Sequence, residues 1–266
     1  MAISIVQVDA FTQQPFAGNP AAVCILPEPR PDTWMRDVAS EMNLSETAFL
    51  VPENSGFRLR WFTPAVEVAL CGHATLASAH VLWEDGHVPT GVQARFHTLS
   101  GQLLADRRGD WIEMDFPAKS CAAVEPPTGL LAALGVDPSE AVAVQRNQFD
   151  YLVEVPSEEQ VRSLAPDHTA LRKVEARGII VTAKAFTVPY DFISRFFAPG
   201  SGIDEDPVTG SAHCALGPYW MAKLGKADFN AYQASPRGGT VRVRVAGDRV
   251  LLGGQAVTVM RAQLLA

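Results

Sequence analysis

Cysteine is scarce in this chain of 266 residues: Cys24, Cys71, Cys121 and Cys214, with no Cys-x-x-Cys pair among them. That spacing offers no structural zinc motif. Met1-Ala2-Ile3-Ser4-Ile5-Val6 lacks the basic flank and long apolar core of a secretory leader. Reduced thiols and a cytoplasmic protein are therefore expected. No run approaches the ~18 uninterrupted apolar residues of a membrane span. Cations are also few, 22 Lys and Arg against 29 Asp and Glu, for a net charge of −7. The densest cationic stretch, residues 241–245, alternates Val and Arg like a half-buried strand, so nucleic acid is not an expected partner. Local groups can still hold a small anion against that net charge. No Gly-x-Gly-x-x-Gly joins a strand to a helix and no P-loop is present, so neither nucleotide-cofactor signature occurs.

What is present is core material. Hydrophobic residues make up 47% of the chain, and at ~100–200 residues per domain the length fits two domains. Strands are expected at residues 3–8, 57–62, 111–116, 178–184, 241–245 and 256–260, and Asn19-Pro20 is expected as a turn before the apolar run 21–26. In the second strand, Phe57, Leu59 and Trp61 share one face while Arg58 and Arg60 take the other. Pro31-Asp32 opens a helix with Asp32 as its expected N-cap, and Trp34, Val38 and Met42 line one side of it. Ser157-Glu158-Glu159-Gln160 has the form of a capping box. Residues 121–127, small and proline-rich, are the expected linker.

Two segments resemble each other. Gly72-His73-Ala74-Thr75-Leu76-Ala77-Ser78-Ala79 and Gly210-Ser211-Ala212-His213-Cys214-Ala215-Leu216-Gly217 are both small-residue helices opened by glycine, about half the chain apart. Small side chains suit a helix enclosed by a sheet. The start of a helix leaves N–H groups without intrahelical partners and carries partial positive charge, so two such starts can hold a carboxylate or a developing enolate. Gly72, His73 and Ala74 would supply one set of donors, and Gly210, Ser211 and Ala212 the other. Two buried helix starts capped by local side chains are the alternative. Glu46 sits in the apolar run Leu44-Ser45-Glu46-Thr47-Ala48-Phe49-Leu50-Val51. It is either an exposed glutamate opening a strand or a pocket carboxylate suited to proton transfer. His73 is either structural or a group titrating near neutrality. It is not expected to pair with Cys71, since close neighbours on a helix do not face each other. Asp206, in Asp204-Glu205-Asp206-Pro207, is either a helix cap or a substrate contact.

Four segments in order resemble the PhzF family of phenazine-biosynthesis-like proteins: Val8 to Thr12 with Pro15 to Pro20, Leu44 to Phe49, Trp61 to Thr75, and Glu205 to Ala212. The resemblance implies an α+β chain with a diaminopimelate-epimerase-like fold. Two similar domains would each roll a mixed sheet around a central helix, with the active site in the cleft between them. The expected boundaries are residues 1–122, completed by the strand at 256–266, and residues 123–255. The resemblance makes Glu46 the general acid/base, with His73 and Asp206 as the other catalytic groups. Gly72, Ala74, Thr209, Gly210, Ser211 and Ala212 are expected to bind substrate. It implies an isomerase that moves a proton between carbons of a small carboxylic acid, with no cofactor and no metal, as a homodimer.

The same fold includes racemases that use two cysteines. Cys71 occupies the first of those places, but Pro207 falls at the second and cannot carry a proton. An epimerase using Cys71 with another base stays open as one alternative, and a non-catalytic metabolite-binding protein as the other.

Overall fold

Alternating apolar side chains lay down some of the strands and continuous apolar runs others, and the chain folds as two units, residues 1–115 with 253–266 and residues 116–252. The structure, a computed structural model, describes residues 3–265. The first unit contains β1 (Ile3–Ala10), β2 (Asn19–Ile25), α1 (Asp32–Met42), β3 (Glu46–Glu53), β4 (Gly56–Phe62), β5 (Glu67–Val68), α2 (Gly72–Glu84), β6 (Ala94–Thr98), β7 (Gly101–Arg108) and β8 (Trp111–Pro117). The second contains β9 (Ala122–Ala123), α3 (Leu130–Leu134), β10 (Ala143–Arg146), β11 (Asp150–Glu154), α4 (Glu158–Ser163), α5 (His168–Leu171), β12 (Gly178–Lys184), β13 (Phe192–Phe197), α6 (Gly210–Leu224), β14 (Asp228–Gln233), β15 (Gly239–Ala246) and β16 (Arg249–Gly254). The last strand, β17 (Ala256–Leu264), returns to the first unit and pairs antiparallel with β1.

The two sheets repeat one pattern. In the first unit the order β17-β1-β2-β3-β4-β6-β7 is paired antiparallel, antiparallel, parallel, antiparallel, parallel, antiparallel. In the second, β9-β10-β11-β12-β13-β14-β15 runs through the same six pairings in the same sequence. Parallel neighbours need a crossover, commonly helical. The β4–β6 crossover carries α2 and the β13–β14 crossover carries α6, so the two small-residue helices hold equivalent places. Ala122 and Ala123, inside the expected linker, form β9 against Arg146 and Gln145.

Both helices are enclosed. Residues 73–79 of α2 are all buried, and the helix packs against β1, β2, β3 and β17. Side chains apolar or small on every side are what such a helix requires. In α6, a Cβ added at Gly217 would lie 3.0 Å from Val243 and 3.1 Å from Val245, so the approach of α6 to β15 depends on that glycine. Outer helices complete two further cores. On α1, Met35, Val38 and Ala39 pack with Trp34 and Met42 against Phe49 and Phe62, the face expected from the spacing. In the second unit, α3, α4 and α5 cover Val153, Ile179, Val181 and Ile193.

Local details correct three expectations. Pro31, not Asp32, is the N-cap of α1; Asp32 is the first helical residue, and its carboxylate accepts from Arg60 Nη1 at 2.8 Å. Only half of the capping box forms. Ser157 Oγ accepts from the Gln160 N–H at 3.2 Å, but the Gln160 side chain donates outward to Glu140. Asn19 and Pro20, expected as a turn, are the first residues of β2; in the acidic run at 204–206, Glu205 makes a two-pronged ion pair with buried Arg195.

Candidate functional site

Glu46 is the first residue of β3, where β3 lies parallel to β2 with Glu46 opposite Ala21. Its side chain is 18% exposed, and Oε2 lies 3.3 Å from Nε2 of His73. His73 is the second residue of α2 and is 6% exposed. Burial pushes its pKa down to about 3, only partly offset by the Pro20 carbonyl. The imidazole is thus neutral at physiological pH, where the sequence suggested a group titrating near neutrality.

The other ring nitrogen fixes the ring. Asn19 Nδ2 lies 3.2 Å from His73 Nδ1. With the amide donating, Nδ1 accepts and Nε2 carries the proton toward Glu46; with the amide turned over, both roles reverse. Asn19 arrives there through a constrained loop. Gly18 has φ +64°, and a Cβ at that position would collide with the Ala10 carbonyl oxygen. Asp9 ties down the same loop by accepting from the Phe16 N–H at 2.7 Å. The Pro15 to Pro20 motif therefore serves to deliver one amide to one imidazole. The sequence gives no signal for Asn19, since nothing local relates it to His73.

Cys71 also belongs to this cluster. Its Sγ lies 3.5 Å from His73 Nδ1, contrary to the expectation that the two would not meet. The helical spacing rule does not apply, because Cys71 is the N-cap, with extended φ −143° and ψ 109°. One donor atom each from Glu46, Cys71 and His73 lie within 4.8 Å of one another. An oxygen, a sulfur and a nitrogen so placed form a set able to hold a divalent ion. Glu67, in the neighbouring motif, serves the sheet instead. It clamps Arg60 of β4 through two hydrogen bonds of 2.7 and 2.6 Å.

In the second unit the expected residues gather at the start of α6. Thr209, not Asp206, is the N-cap. Asp206 Oδ2 accepts from Thr209 Oγ1 at 2.5 Å. Gln233, fully buried on β14, braces the turn by accepting from the Thr209 N–H at 2.9 Å and donating to the Asp206 carbonyl at 2.7 Å. Ser235 Oγ donates to the Pro207 carbonyl at 2.8 Å. Gly210, Ser211 and Ala212 form the first turn. Ser211 Oγ accepts from Arg177 Nη2 at 3.1 Å, and Arg177 is itself held on two sides by buried Asp150. Arginine only donates, so the Ser211 hydroxyl proton points to another acceptor. Arg177 and Asp150 carry no signal in the local sequence.

Helices α4 and α5 are capped by the side chains of Ser157 and Asp167. Neither Cys71 nor Thr209 caps its central helix in that way, and α1 and α3 likewise lack a side-chain cap. The first-turn N–H groups of α2 (Gly72, His73, Ala74) and α6 have no acceptor within their own helices.

This fold is shared with racemase- and epimerase-type chains. Crystal structures described as a probable proline racemase from Agrobacterium radiobacter and a hydroxyproline epimerase from Agrobacterium vitis match at TM-score 0.64, with 13% and 12% identity, over 98% and 99% of this chain and 92% of each of theirs. The architecture is thus of the diaminopimelate-epimerase-like class. Residues 8–262 match the family model for phenazine biosynthesis-like protein, PhzC-PhzF. An uncharacterized isomerase of Halalkalibacterium halodurans is 56% identical over 100% of this chain and 99% of its own length. A PhzF-family crystal structure from Enterococcus faecalis covers both chains completely at 38% identity and TM-score 0.94. The chain belongs to the PhzF family of isomerases.

Proposed function

We propose that this isomerase moves a proton between carbons of a small carboxylic acid, with Glu46 as the single general acid/base. The carrying observation is the 3.3 Å approach of Glu46 Oε2 to Nε2 of a buried, amide-fixed His73. Ionised Glu46 takes a proton from carbon. The imidazole and the first-turn N–H groups of α2 lie beside the reacting centre, where developing negative charge is stabilised. Protonated Glu46 then returns the proton to a second carbon. The Asn19 amide can present its NH2 or its carbonyl to Nδ1, so His73 can serve either form of Glu46. One carboxylate that removes and returns the same proton needs no electron carrier. In this reading Asp206, Thr209, Gly210, Ser211 and Ala212 bind the substrate's carboxylate and polar substituents, with Arg177 orienting the Ser211 hydroxyl.

The test is a panel of small unsaturated and cyclic carboxylic acids incubated in D2O and followed by NMR. An acid that gains deuterium at carbon, with its double bond or ring hydrogen relocated, identifies the substrate class. Glu46→Gln must abolish that exchange; exchange at the wild-type rate in the folded variant removes Glu46 as the base. Exchange at one carbon with inversion, lost in Cys71→Ala, favours the epimerase alternative.

A homodimer in the cytoplasm completes this reading. Among the described residues no helix is long and apolar enough to cross a membrane. Light scattering on the purified chain measures the oligomeric state directly.

A further inference from the structure

Proton transfer by Glu46 beside His73 leaves Cys71 without a role. Yet Cys71 Sγ, His73 Nδ1 and Nε2, and Glu46 Oε2 converge in one buried spot, with separations of 3.5 Å (sulfur to Nδ1) and 3.3 Å (Nε2 to oxygen). Cys71 and His73 are each 6% exposed. We propose that Glu46, Cys71 and His73 form a binding site for one zinc ion, and that zinc there switches the isomerase off.

Three observations carry this. The first is the donor set. Thiolate, imidazole and carboxylate together suit zinc, whereas magnesium and calcium prefer oxygen alone. The second is spacing. Zinc bonds of about 2.0–2.3 Å in a tetrahedron hold ligand atoms roughly 3.3–3.7 Å apart. With Nε2 as the nitrogen ligand, the Glu46–His73 separation already has that value, and one donor atom from each of the three residues lies within 4.8 Å of the others. The remaining closure falls to the Cys71 sulfur, on the N-cap residue just ahead of α2. The third is charge. A divalent ion with one thiolate and one carboxylate is neutral, so the buried cluster gains no net charge on filling.

Binding is a ligand exchange without redox change. Zinc loses waters, gains a bond to sulfur, and the Cys71 thiol releases its proton to solvent. The imidazole stays neutral: its proton rests on the nitrogen that does not face the metal, and the Asn19 amide turns to match. Three protein ligands leave a fourth position for water. With its carboxylate on the metal, Glu46 can no longer take a proton from carbon.

Site formation stands apart from the catalytic role of Glu46; only the inhibition rests on it. The probe is zinc itself, titrated calorimetrically into the chelator-treated full chain without substrate, in buffers of different protonation enthalpy. The expected result is one site per chain with about one proton released per ion. Cys71→Ser and His73→Gln should each weaken binding at least about tenfold. Cys121→Ser, at a thiol elsewhere, should leave it unchanged. Cobalt as a second probe should show a thiolate-to-metal absorption band in wild type that Cys71→Ser lacks. Should Cys71→Ser fail to fold, Cys71→Ala provides the same reading. Absence of saturable binding, affinity unchanged in the Cys71 variant, or a cobalt band that survives it overturns the site. Loss of turnover on adding zinc, restored by chelator, supports the switch, and full turnover with the site filled overturns it. Failure of Glu46 as the base appears separately, as exchange persisting in metal-free Glu46→Gln.

Discussion

Nε2 of His73 faces Oε2 of Glu46 at 3.3 Å while Nδ1 of the same ring meets the Asn19 amide at 3.2 Å. The imidazole is anchored through Nδ1, so its orientation depends on a residue outside its own helix. Asn19→Ala should leave the fold intact and lower kcat about tenfold, with a smaller effect on KM. Steady-state kinetics on the substrate found by deuterium exchange measure this, and an unchanged kcat would leave Asn19 without a positioning role.

The loop that delivers Asn19 is sterically fixed at Gly18. Gly18→Ala must place a Cβ against the Ala10 carbonyl at a positive φ. We expect a loss of stability of about 2–3 kcal/mol in urea denaturation, together with lower kcat as Asn19 shifts. A glycine needed only for flexibility would lose far less stability.

Arg177 should matter to binding more than to chemistry. Arg177→Lys keeps the charge but loses the fork that grips Asp150 and reaches Ser211. KM for the carboxylic acid should rise about tenfold, with kcat within about threefold of wild type. A matching rise in Ser211→Ala, not additive with the first, would show that the two act through one hydroxyl.

His213 sets a pH dependence of stability. It is fully buried on α6, and its Nδ1 lies 2.8 Å from the Thr209 carbonyl. A carbonyl only accepts, so Nδ1 carries the proton. Burial, partly offset by that bond, lowers its pKa from 6.5 to about 4. The unfolded chain therefore binds a proton below about pH 6.5 that the native chain refuses until about pH 4. This contribution is complete above pH 6.5 and falls away as the pH drops toward 4, by about 3 kcal/mol in total. Urea midpoints across that range should show a shallower slope in His213→Asn than in wild type.

Elements with a strong local pattern are legible in the sequence. Alternation alone buries Phe57, Leu59 and Trp61 of β4, and glycine followed by small residues marks α2 and α6. What escapes depends on contacts between distant segments or on backbone at helix ends. Helical spacing separates Cys71 from His73, but Cys71 stands just before the helix, where that spacing does not hold. Asp206 has the chemistry of a cap, yet Thr209, three residues on, occupies the position. Asn19, Gln233 and Arg177 hold the candidate groups in place, and each reaches its partner through the sheet order, which local spacing does not reveal.

The first unit is discontinuous: β1 pairs on one side with β2 and on the other with β17, from the far end of the chain. During synthesis from the N-terminus, residues 116–252 emerge whole and can close their own sheet. The unit carrying Glu46 must wait for its final strand. The sheet of that unit is thus completed only after the entire second unit has left the ribosome, and a chain cut short before β17 would retain the second unit's ladder while leaving β1 with an open edge.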